Sequence, residues 1–174
     1  MNNNQEQLVY LQNYDSPCGE MVLASTDGKL CLCDWSSMPC ANRNRLRIKR
    51  RLNAKFIQEP SAVITRTKTQ LDEFFTGKRT TFSIPLYPIG TYFQERVWAT
   101  LQEIPYGETC TYKEIAARIG YKNGIRAVAQ AIGANGISII IPCHRVIGSN
   151  NSLTGFAGGL EAKRILLELE KSNT

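Results

Sequence analysis

The feature that most constrains this chain is the stretch from Ile139 to Val146, in which three isoleucines are followed by a proline, a cysteine and a histidine. Three consecutive β-branched residues are typical of a strand that is buried on both faces. Pro142 cannot donate a hydrogen bond to a neighbouring strand, so the predicted strand ends there. The sequence therefore predicts that Cys143 lies at the tip of a rigid, buried element, beside His144, the only histidine of the protein.

Cys143 and His144 form a candidate pair of nucleophile and base, although a free cysteine in a core often does no more than pack. In an extended chain, neighbouring side chains point to opposite faces, so a water relay between thiol and imidazole is favoured over direct contact. Glu170 lies near the C-terminal end of a helix predicted at about 160–171, where a carboxylate opposes the helix dipole. That position predicts an imidazole or cationic partner for Glu170, which would then orient the imidazole through its second nitrogen.

The composition indicates an intracellular globular protein of one or two small domains. The chain has 174 residues, of which 43% are apolar and 21% charged, and no apolar run approaches the length of a membrane span. The N-terminus is polar and lacks the layout of a signal peptide, so we expect a cytoplasmic protein whose six cysteines are reduced. No two cysteines have the gap of two to four residues that is usual for zinc ligands, so we expect no metal site.

A basic stretch stands out within the net charge of +6. Apolar residues recur in it every four positions, at Ile48, Leu52 and Phe56, which predicts a helix with one apolar stripe. Two interpretations stay open, a solvated helix face and an electrostatic footprint for DNA. The stretch contains no acid and seven basic residues: Arg43, Arg45, Arg47, Lys49, Arg50, Arg51 and Lys55.

The first half of the chain, residues 1–86, predicts a small N-terminal domain with an antiparallel sheet. Asp27-Gly28 is a hairpin turn signal, because both turn positions require positive φ. Pro85, Pro88 and Gly90 mark a linker to a second domain. The predicted elements are strands at 8–11, 21–25 and 30–35, a helix at about 42–53, a short strand at 56–57 and a helix at 61–76.

The second half, residues 91–174, predicts a helical domain. Two capping boxes, Thr91 to Gln94 and Thr111 to Glu114, indicate where helices begin. The second of these helices is joined to another, at about 124–134, by a tight turn that contains Gly120, which is typical of a helix-turn-helix. The predicted fold class is therefore α/β of the α+β kind, with an antiparallel sheet domain followed by a winged-helix-like helical domain.

The helix at 124–134 carries an unusual outward face in this prediction. A generic surface helix exposes Lys and Glu, whereas this face consists of small residues beside a single charge, Arg126. Such a thin face fits the minor groove of DNA, which is only about 6 Å wide. The alternative is a helix that is buried on both sides. The small face comprises Ala127, Gln130, Ala131 and Ala134.

From Phe93 to Glu170, the sequence closely resembles the methylated-DNA–protein-cysteine methyltransferases, also called O6-alkylguanine-DNA alkyltransferases. The run Pro142-Cys143-His144-Arg145-Val146 is highly specific for that family. Residues 16–35 and 71–86 resemble the N-terminal domain of the family more loosely. Four further residues stand at the separations from the motif that the family shows: Tyr112, Arg126, Asn135 and Glu170.

The resemblance implies a role for each of these residues. Cys143 accepts an alkyl group from O6-alkylguanine, and from O4-alkylthymine, in a reaction that consumes the protein. His144 activates the thiol through water, with Glu170 behind it. Asn135 shapes the turn that braces the site, and Tyr112 helps to rotate the target nucleotide and protonates the departing guanine.

The same resemblance implies how the protein meets its substrate. The partner is double-stranded DNA, which a monomer binds through the minor groove, and Arg126 takes the place of the flipped base. No cofactor and no membrane are involved. The substrate pocket comprises Val146, Phe156, Ala157 and Ser138. Phe156 stands where many relatives have tyrosine and Ala157 where some have serine, so hydrogen bonds available to those relatives are absent here.

Two alternatives belong to other functional classes. A non-catalytic relative that only flags damaged DNA would lack the cysteine, so the presence of Cys143 disfavours it. A cysteine hydrolase requires a catalytic histidine remote in sequence from its cysteine, and the only histidine here is the adjacent His144.

Overall fold

The structure, a computed structural model, describes residues 5–37 and 39–174, without the side chains of residues 40 and 41. The first four residues of the predicted N-terminal domain therefore lie outside the described residues. No helix in the described part of the chain is both long enough and apolar enough to cross a membrane.

The N-terminal half is built on a four-stranded sheet with the order β3-β2-β1-β4. The first three strands form the predicted antiparallel meander, and Asp27 and Gly28 take the positive φ angles of 48° and 71° that the hairpin turn requires. The sheet is not purely antiparallel, because the fourth strand follows a helical crossover and pairs in parallel with β1. The strands are β1 Gln7–Ser16, β2 Gly19–Thr26, β3 Lys29–Trp35 and β4 Ala54–Ile57.

Two helices cover this sheet. Helix α1 (Pro39–Leu52) packs against β3 and β4, and it buries Ile48 in a small apolar cluster on one face. Helix α2 (Ala62–Phe75) packs against β2 and β3 and buries Leu71 and Phe74 in the larger cluster. Both helices and their predicted positions are thereby confirmed within a few residues.

The C-terminal half is helical, as predicted. Both capping boxes are present, with reciprocal hydrogen bonds between Thr91 and Gln94 and between Thr111 and Glu114. Helices α4 and α5 form the predicted helix-turn-helix, and Gly120 lies between them with φ at 74°. The elements are α3 Tyr92–Leu101, β5 Cys110–Thr111, α4 Tyr112–Arg118, α5 Ile125–Gly133, a 3₁₀ turn Cys143–Arg145, β6 Val146–Ile147 and α6 Gly159–Ser172.

The predicted strand over Ile139–Ile141 is wrong. Ile139 adopts a φ of 72° within a turn, and the backbone forms only isolated bridges on either side of it. The three isoleucines are nevertheless buried, as expected, with exposed fractions of 1%, 9% and 0%. Their β-branched character therefore reflected burial, while hydrogen bonds to neighbouring groups determined the backbone path.

The two halves share one hydrophobic core. Its largest cluster joins residues such as Leu23 and Phe74 to Trp98 and Ile141. The edge strand β3 also pairs with the segment that leads to Cys143, because the Cys33 amide donates to the Gly136 carbonyl at 2.8 Å and its carbonyl accepts from Ser138 at 2.8 Å. The N-terminal half thus holds the segment that positions the candidate nucleophile.

Candidate active site

Three charged or titratable side chains meet inside the protein: His144 and Arg145 both bind the carboxylate of Glu170. Its carboxylate bonds His144 Nε2 at 2.6 Å and accepts from Arg145 Nε at 2.9 Å and Nη2 at 3.0 Å. The Gly107 amide donates a further bond at 3.1 Å. Burial raises the pKa of Glu170, but the bonds and charges of His144 and Arg145 more than offset it and hold the pKa at about 2. Glu170 is therefore ionised, with both the imidazole and the cationic partner that its position predicted.

The geometry fixes which nitrogen of His144 is free to act as a base. An ionised carboxylate accepts hydrogen bonds, so Nε2 carries the proton that Glu170 binds. Burial lowers the pKa of His144, which keeps the ring neutral at neutral pH. Nδ1 is then the basic atom, and it is buried without a hydrogen-bond partner among the described residues.

Cys143 lies in the 3₁₀ turn with 5% of its surface exposed, rather than at the end of a strand. Burial raises the pKa of its thiol to about 11, against smaller lowering effects of Asn135, Lys163 and Ser138. The thiol is therefore protonated at neutral pH. It forms no direct hydrogen bond to His144 Nδ1, which agrees with the expectation that the two side chains are not in contact. Chemistry at this sulfur requires a base that acts at a distance.

Asn135 braces the turn that precedes Cys143. Its side chain is buried, its Oδ1 accepts from the Ile137 amide at 3.0 Å and its Nδ2 donates to the Ile141 carbonyl at 3.0 Å. These bonds satisfy backbone groups that a strand would have paired, which is the physical reason why the isoleucines turn. Asn135 thus holds the turn through its side chain, and its part in the reaction stays a prediction.

A groove of about 690 Å³ opens between α4, α5 and the glycine-rich loop before α6. It brings together four of the predicted site residues, Tyr112, Arg126, Phe156 and Ala157. The Tyr112 hydroxyl accepts from the Thr154 hydroxyl at 3.3 Å and donates to its carbonyl at 3.5 Å.

Only part of the predicted pocket lies at the groove surface. Phe156 packs edge-on against Trp35, with ring centroids 5.2 Å apart. Ser138 and Val146 are fully buried and do not line the groove. Ser138 lies close enough to the Cys143 thiol to lower its pKa.

The outward face predicted for α5 is partly wrong. Arg126 and Gln130 are exposed and Ala127 is half-buried, but Ala131 and Ala134 are 3% and 9% exposed. They turn inward because this side of α5 packs into the main core cluster, where the indole of Trp98 also donates to the Ala131 carbonyl at 2.8 Å and Arg47 Nη2 donates to that of Ala134 at 2.8 Å. From this helix the groove is lined by Ile125, Arg126, Ala129, Ile132 and Gly133.

Two buried basic residues were missed by the sequence reasoning. Arg145 follows His144 directly, and the expected cationic partner of Glu170 could have identified it. Lys163 is fully buried, and its Nζ donates to the carbonyls of Val146 and Thr154. Burial lowers its pKa to about 8. Lys163 and Glu170 are seven residues apart on α6, which places them on one helix face and was the available signal.

The described residues contain no group of three or more His, Cys, Asp or Glu side chains that could hold a metal ion. The cysteines whose side chains are described, at positions 18, 31, 33, 110 and 143, are free thiols.

Comparisons with known proteins cover nearly the whole chain. Two family models match it: the ribonuclease-like domain of 6-O-methylguanine DNA methyltransferase over residues 9–88, and the DNA-binding domain of the same family over residues 92–172.

Individual relatives agree with the family models. The methylated-DNA–protein-cysteine methyltransferase of Haemophilus influenzae is 42% identical over 94% of this chain and 87% of its own length. That of Methanosarcina barkeri is 44% identical over 95% and 99%. Among solved structures, the crystal structure of Mycobacterium tuberculosis OGT in complex with DNA is 40% identical, with a TM-score of 0.82 over 95% of this chain and 94% of that chain.

Proposed function

Because the chain belongs to the family of 6-O-methylguanine DNA methyltransferases, we propose that it repairs DNA by moving an alkyl group from O6 of guanine to Cys143 Sγ. O4-alkylthymine is the second proposed substrate. One observation carries the assignment of the acceptor: the buried Cys143 is followed directly, in the same 3₁₀ turn, by His144, whose Nε2 is held by an ionised Glu170 and whose Nδ1 has no hydrogen-bond partner among the described residues.

The reaction begins with formation of the thiolate. His144 Nδ1 takes the thiol proton through one water molecule, and Glu170 stabilises the imidazolium that results. Arg145 keeps Glu170 ionised and in place through its two hydrogen bonds. The base is needed because the pKa of the thiol is raised to about 11 by burial.

The thiolate then attacks the alkyl carbon in line with the bond to O6. A carbon–sulfur bond forms while the carbon–oxygen bond breaks, and its electron pair leaves on the guanine. Tyr112, at the edge of the groove, supplies the proton that the departing guanine takes up, and the proton held by the His144 imidazolium returns through solvent to restore the Tyr112 hydroxyl. The product is a thioether on Cys143, and no side chain in the site provides a route to hydrolyse it, so each molecule reacts once.

Binding of double-stranded DNA is assigned to the groove and to α5. Arg126 is exposed at the first turn of α5 and forms no hydrogen bond or ion pair with a described residue, so it is free to enter the base stack where the target nucleotide is flipped out. Gln130 and Ala127 complete the face that enters the minor groove. Ala131 and Ala134 have a supporting role, because both are buried.

The groove also contains the proposed alkyl pocket. Phe156 and Ala157, which line the groove, form its wall, while Ser138 and Val146 are fully buried and Ser138 lies near the Cys143 thiol. We further propose that the protein acts as a monomer, on chromosomal DNA inside the cell, with no cofactor. We also propose a division into two domains, residues 1–86 and 91–174, of which the second carries the acceptor and the residues of α5 assigned to DNA binding.

The experiment that tests the acceptor is transfer of a labelled methyl group from an O6-methylguanine duplex to the protein. We expect the label on the peptide that contains Cys143, and no transfer to Cys143→Ala, which should still bind DNA because its contacts to the duplex come from other residues. Cys110→Ala is the matched control, since Cys110 is also a buried free thiol. Label on another cysteine of the Cys143→Ala variant would contradict the assignment.

A further inference from the structure

The basic stretch at residues 43–55 accounts for the net positive charge of the protein. The chain has 21 basic and 15 acidic residues. Without the seven basic residues of this stretch, fourteen basic and fifteen acidic residues remain and nearly cancel. The positive potential is therefore concentrated on α1 and the start of β4, and the proposed transfer chemistry uses none of these side chains.

Three of the seven attach α1 to its surroundings. Arg47 donates to the Ala134 carbonyl at 2.8 Å, and Arg51 donates to the Gly90 carbonyl at 2.8 Å. The guanidinium of Arg45 lies 5.6 Å from the ring centroid of Phe56. The Arg47 bond holds α1 against the C-terminal end of α5, while Arg51 and Arg45 hold it against the linker and β4. These contacts explain part of the basic stretch without any partner.

The other side of α1 has no such explanation. Arg43, Leu46, Lys49 and Arg50 are exposed and recur on one face of the helix, which we call the basic face. Lys49 and Arg50 form no hydrogen bond or ion pair with any described residue. Among the described residues, Arg43 has a single hydrogen-bond partner, the Gly133 carbonyl, at 3.3 Å on the surface.

The basic face is continuous with the groove that holds Arg126. Arg43 and Gly133 line one end of that groove, and Tyr112 and Arg126 line it too. From Arg43, α1 rises by about 1.5 Å per residue, so Arg50 lies about 10 Å further along the helix axis. Duplex DNA carries one charge per about 1.7 Å of its axis, so a duplex seated on α5 presents several phosphates over that distance.

We propose that the basic face of α1 binds the phosphate backbone of duplex DNA beside the damaged nucleotide and extends the contact made by α5. This inference rests on the proposed function. The charge of the face suits any polyanion, but its continuity with the groove favours DNA over an acidic protein. Contacts to phosphate do not depend on the base sequence, so the basic face increases affinity for DNA without making binding sequence-specific.

The test compares two double variants that change the charge equally. Lys49→Gln/Arg50→Gln removes two exposed charges from the basic face. Arg66→Gln/Lys78→Gln removes two exposed charges on α2 and just beyond its end, away from the groove lining. For both variants and the wild type, the dissociation constant of a short alkylated duplex is measured at a series of salt concentrations. The rate of reaction with free O6-benzylguanine, a substrate that needs no DNA contact, is measured as the control.

We expect the basic-face variant to bind the duplex more weakly than the wild type. Its plot of the logarithm of the association constant against the logarithm of the salt concentration should be less steep by about 1.8, because each lost phosphate contact removes about 0.9 from the slope. The α2 variant should keep the wild-type slope, and all three proteins should react equally fast with free O6-benzylguanine. An unchanged slope in the basic-face variant, or an equal change in both variants, would overturn the inference. If the inference fails in this way but the wild type still binds DNA and accepts alkyl groups, the proposed function stands. If the wild type neither binds DNA nor accepts alkyl groups, the proposed function and the inference are both wrong.

Discussion

At the scale of single residues, Glu170 is the side chain on which the charges of the site converge. Replacing it by Gln leaves Arg145 buried without its counter-ion, a change that typically costs about 3–5 kcal/mol. We therefore expect Glu170→Gln to lower the free energy of unfolding by that amount in urea denaturation and to slow alkyl transfer. Glu168→Gln is the control, since Glu168 forms only a surface ion pair on the same helix. Equal effects of both would contradict the role of Glu170.

The pH dependence of stability has the same origin. The pKa of Glu170 is about 2 in the folded protein, below the ordinary value of about 4.3 that it takes in the unfolded chain. When the pKa of a carboxylate is lower in the folded protein than in the unfolded chain, its ionised form stabilises the fold. This stabilisation is fully present above the pKa of the unfolded chain and is lost as the pH falls through the pKa of the folded protein. The difference in unfolding free energy between wild type and Glu170→Gln should therefore shrink between about pH 5 and pH 2. Denaturation at a series of pH values measures it, and a constant difference would count against this origin.

Lys163 is the residue-scale feature that the sequence reasoning missed. Its buried ammonium lowers the pKa of the Cys143 thiol and ties the carbonyls of Val146 and Thr154 together. We expect Lys163→Met to slow transfer to Cys143 by about tenfold, the effect of about 1.4 kcal/mol on the barrier. Lys171→Met, at an exposed position on the same helix, should react like wild type. The measurement is the single-turnover rate with free O6-benzylguanine, and a wild-type rate in Lys163→Met would refute the electrostatic role.

At the scale of elements, α5 presents Arg126 to the groove. If this side chain fills the gap left by the flipped nucleotide, Arg126→Ala must slow repair of duplex DNA, because unstacking a base costs a few kcal/mol. We expect a loss of about tenfold or more with the duplex and little change with the free alkylated base. The ratio of the two rates is the readout. Equal slowing of both substrates would show that Arg126 acts elsewhere.

The proposed alkyl pocket is bounded by the loop before α6. Phe156 and Ala157 offer an apolar wall, and a hydrophobic pocket discriminates weakly between groups that differ by a methylene, by about 1–3 kcal/mol. We expect ethyl- and benzyl-substituted guanine to react along with the methyl form. Competition between the three in one reaction measures their relative rates, and near-complete rejection of both larger groups would contradict an open pocket.

At the scale of the whole molecule, the sequence was most informative where neighbouring residues decide the structure. The hairpin turn at Asp27-Gly28 and both capping boxes were predictable, because each depends on a few adjacent residues. The motif at Cys143 and its link to Glu170 were also predictable, since one resemblance covered both.

The sequence failed where distant residues decide. The path of the isoleucines depends on the Asn135 side chain and on β3, and the rotation of α5 depends on Trp98 and Arg47. The pattern of apolar residues within either segment carries no information about those distant partners. The same limit explains why Lys163 was missed, since its carbonyl partners come from the segment before α6.

The whole molecule holds a protonated thiol and a neutral base in one buried turn, and we propose that each molecule uses them once. A thioester can be cleaved by water at its carbonyl, but the thioether that forms on Cys143 has no carbonyl to attack. The most direct test mixes a known amount of active protein with a large excess of alkylated duplex and follows repair over time. We predict a plateau at one alkyl group per protein molecule, however long the incubation. Repair that continues well past one equivalent would mean that the enzyme turns over, and the account of Cys143 as a final acceptor would be wrong.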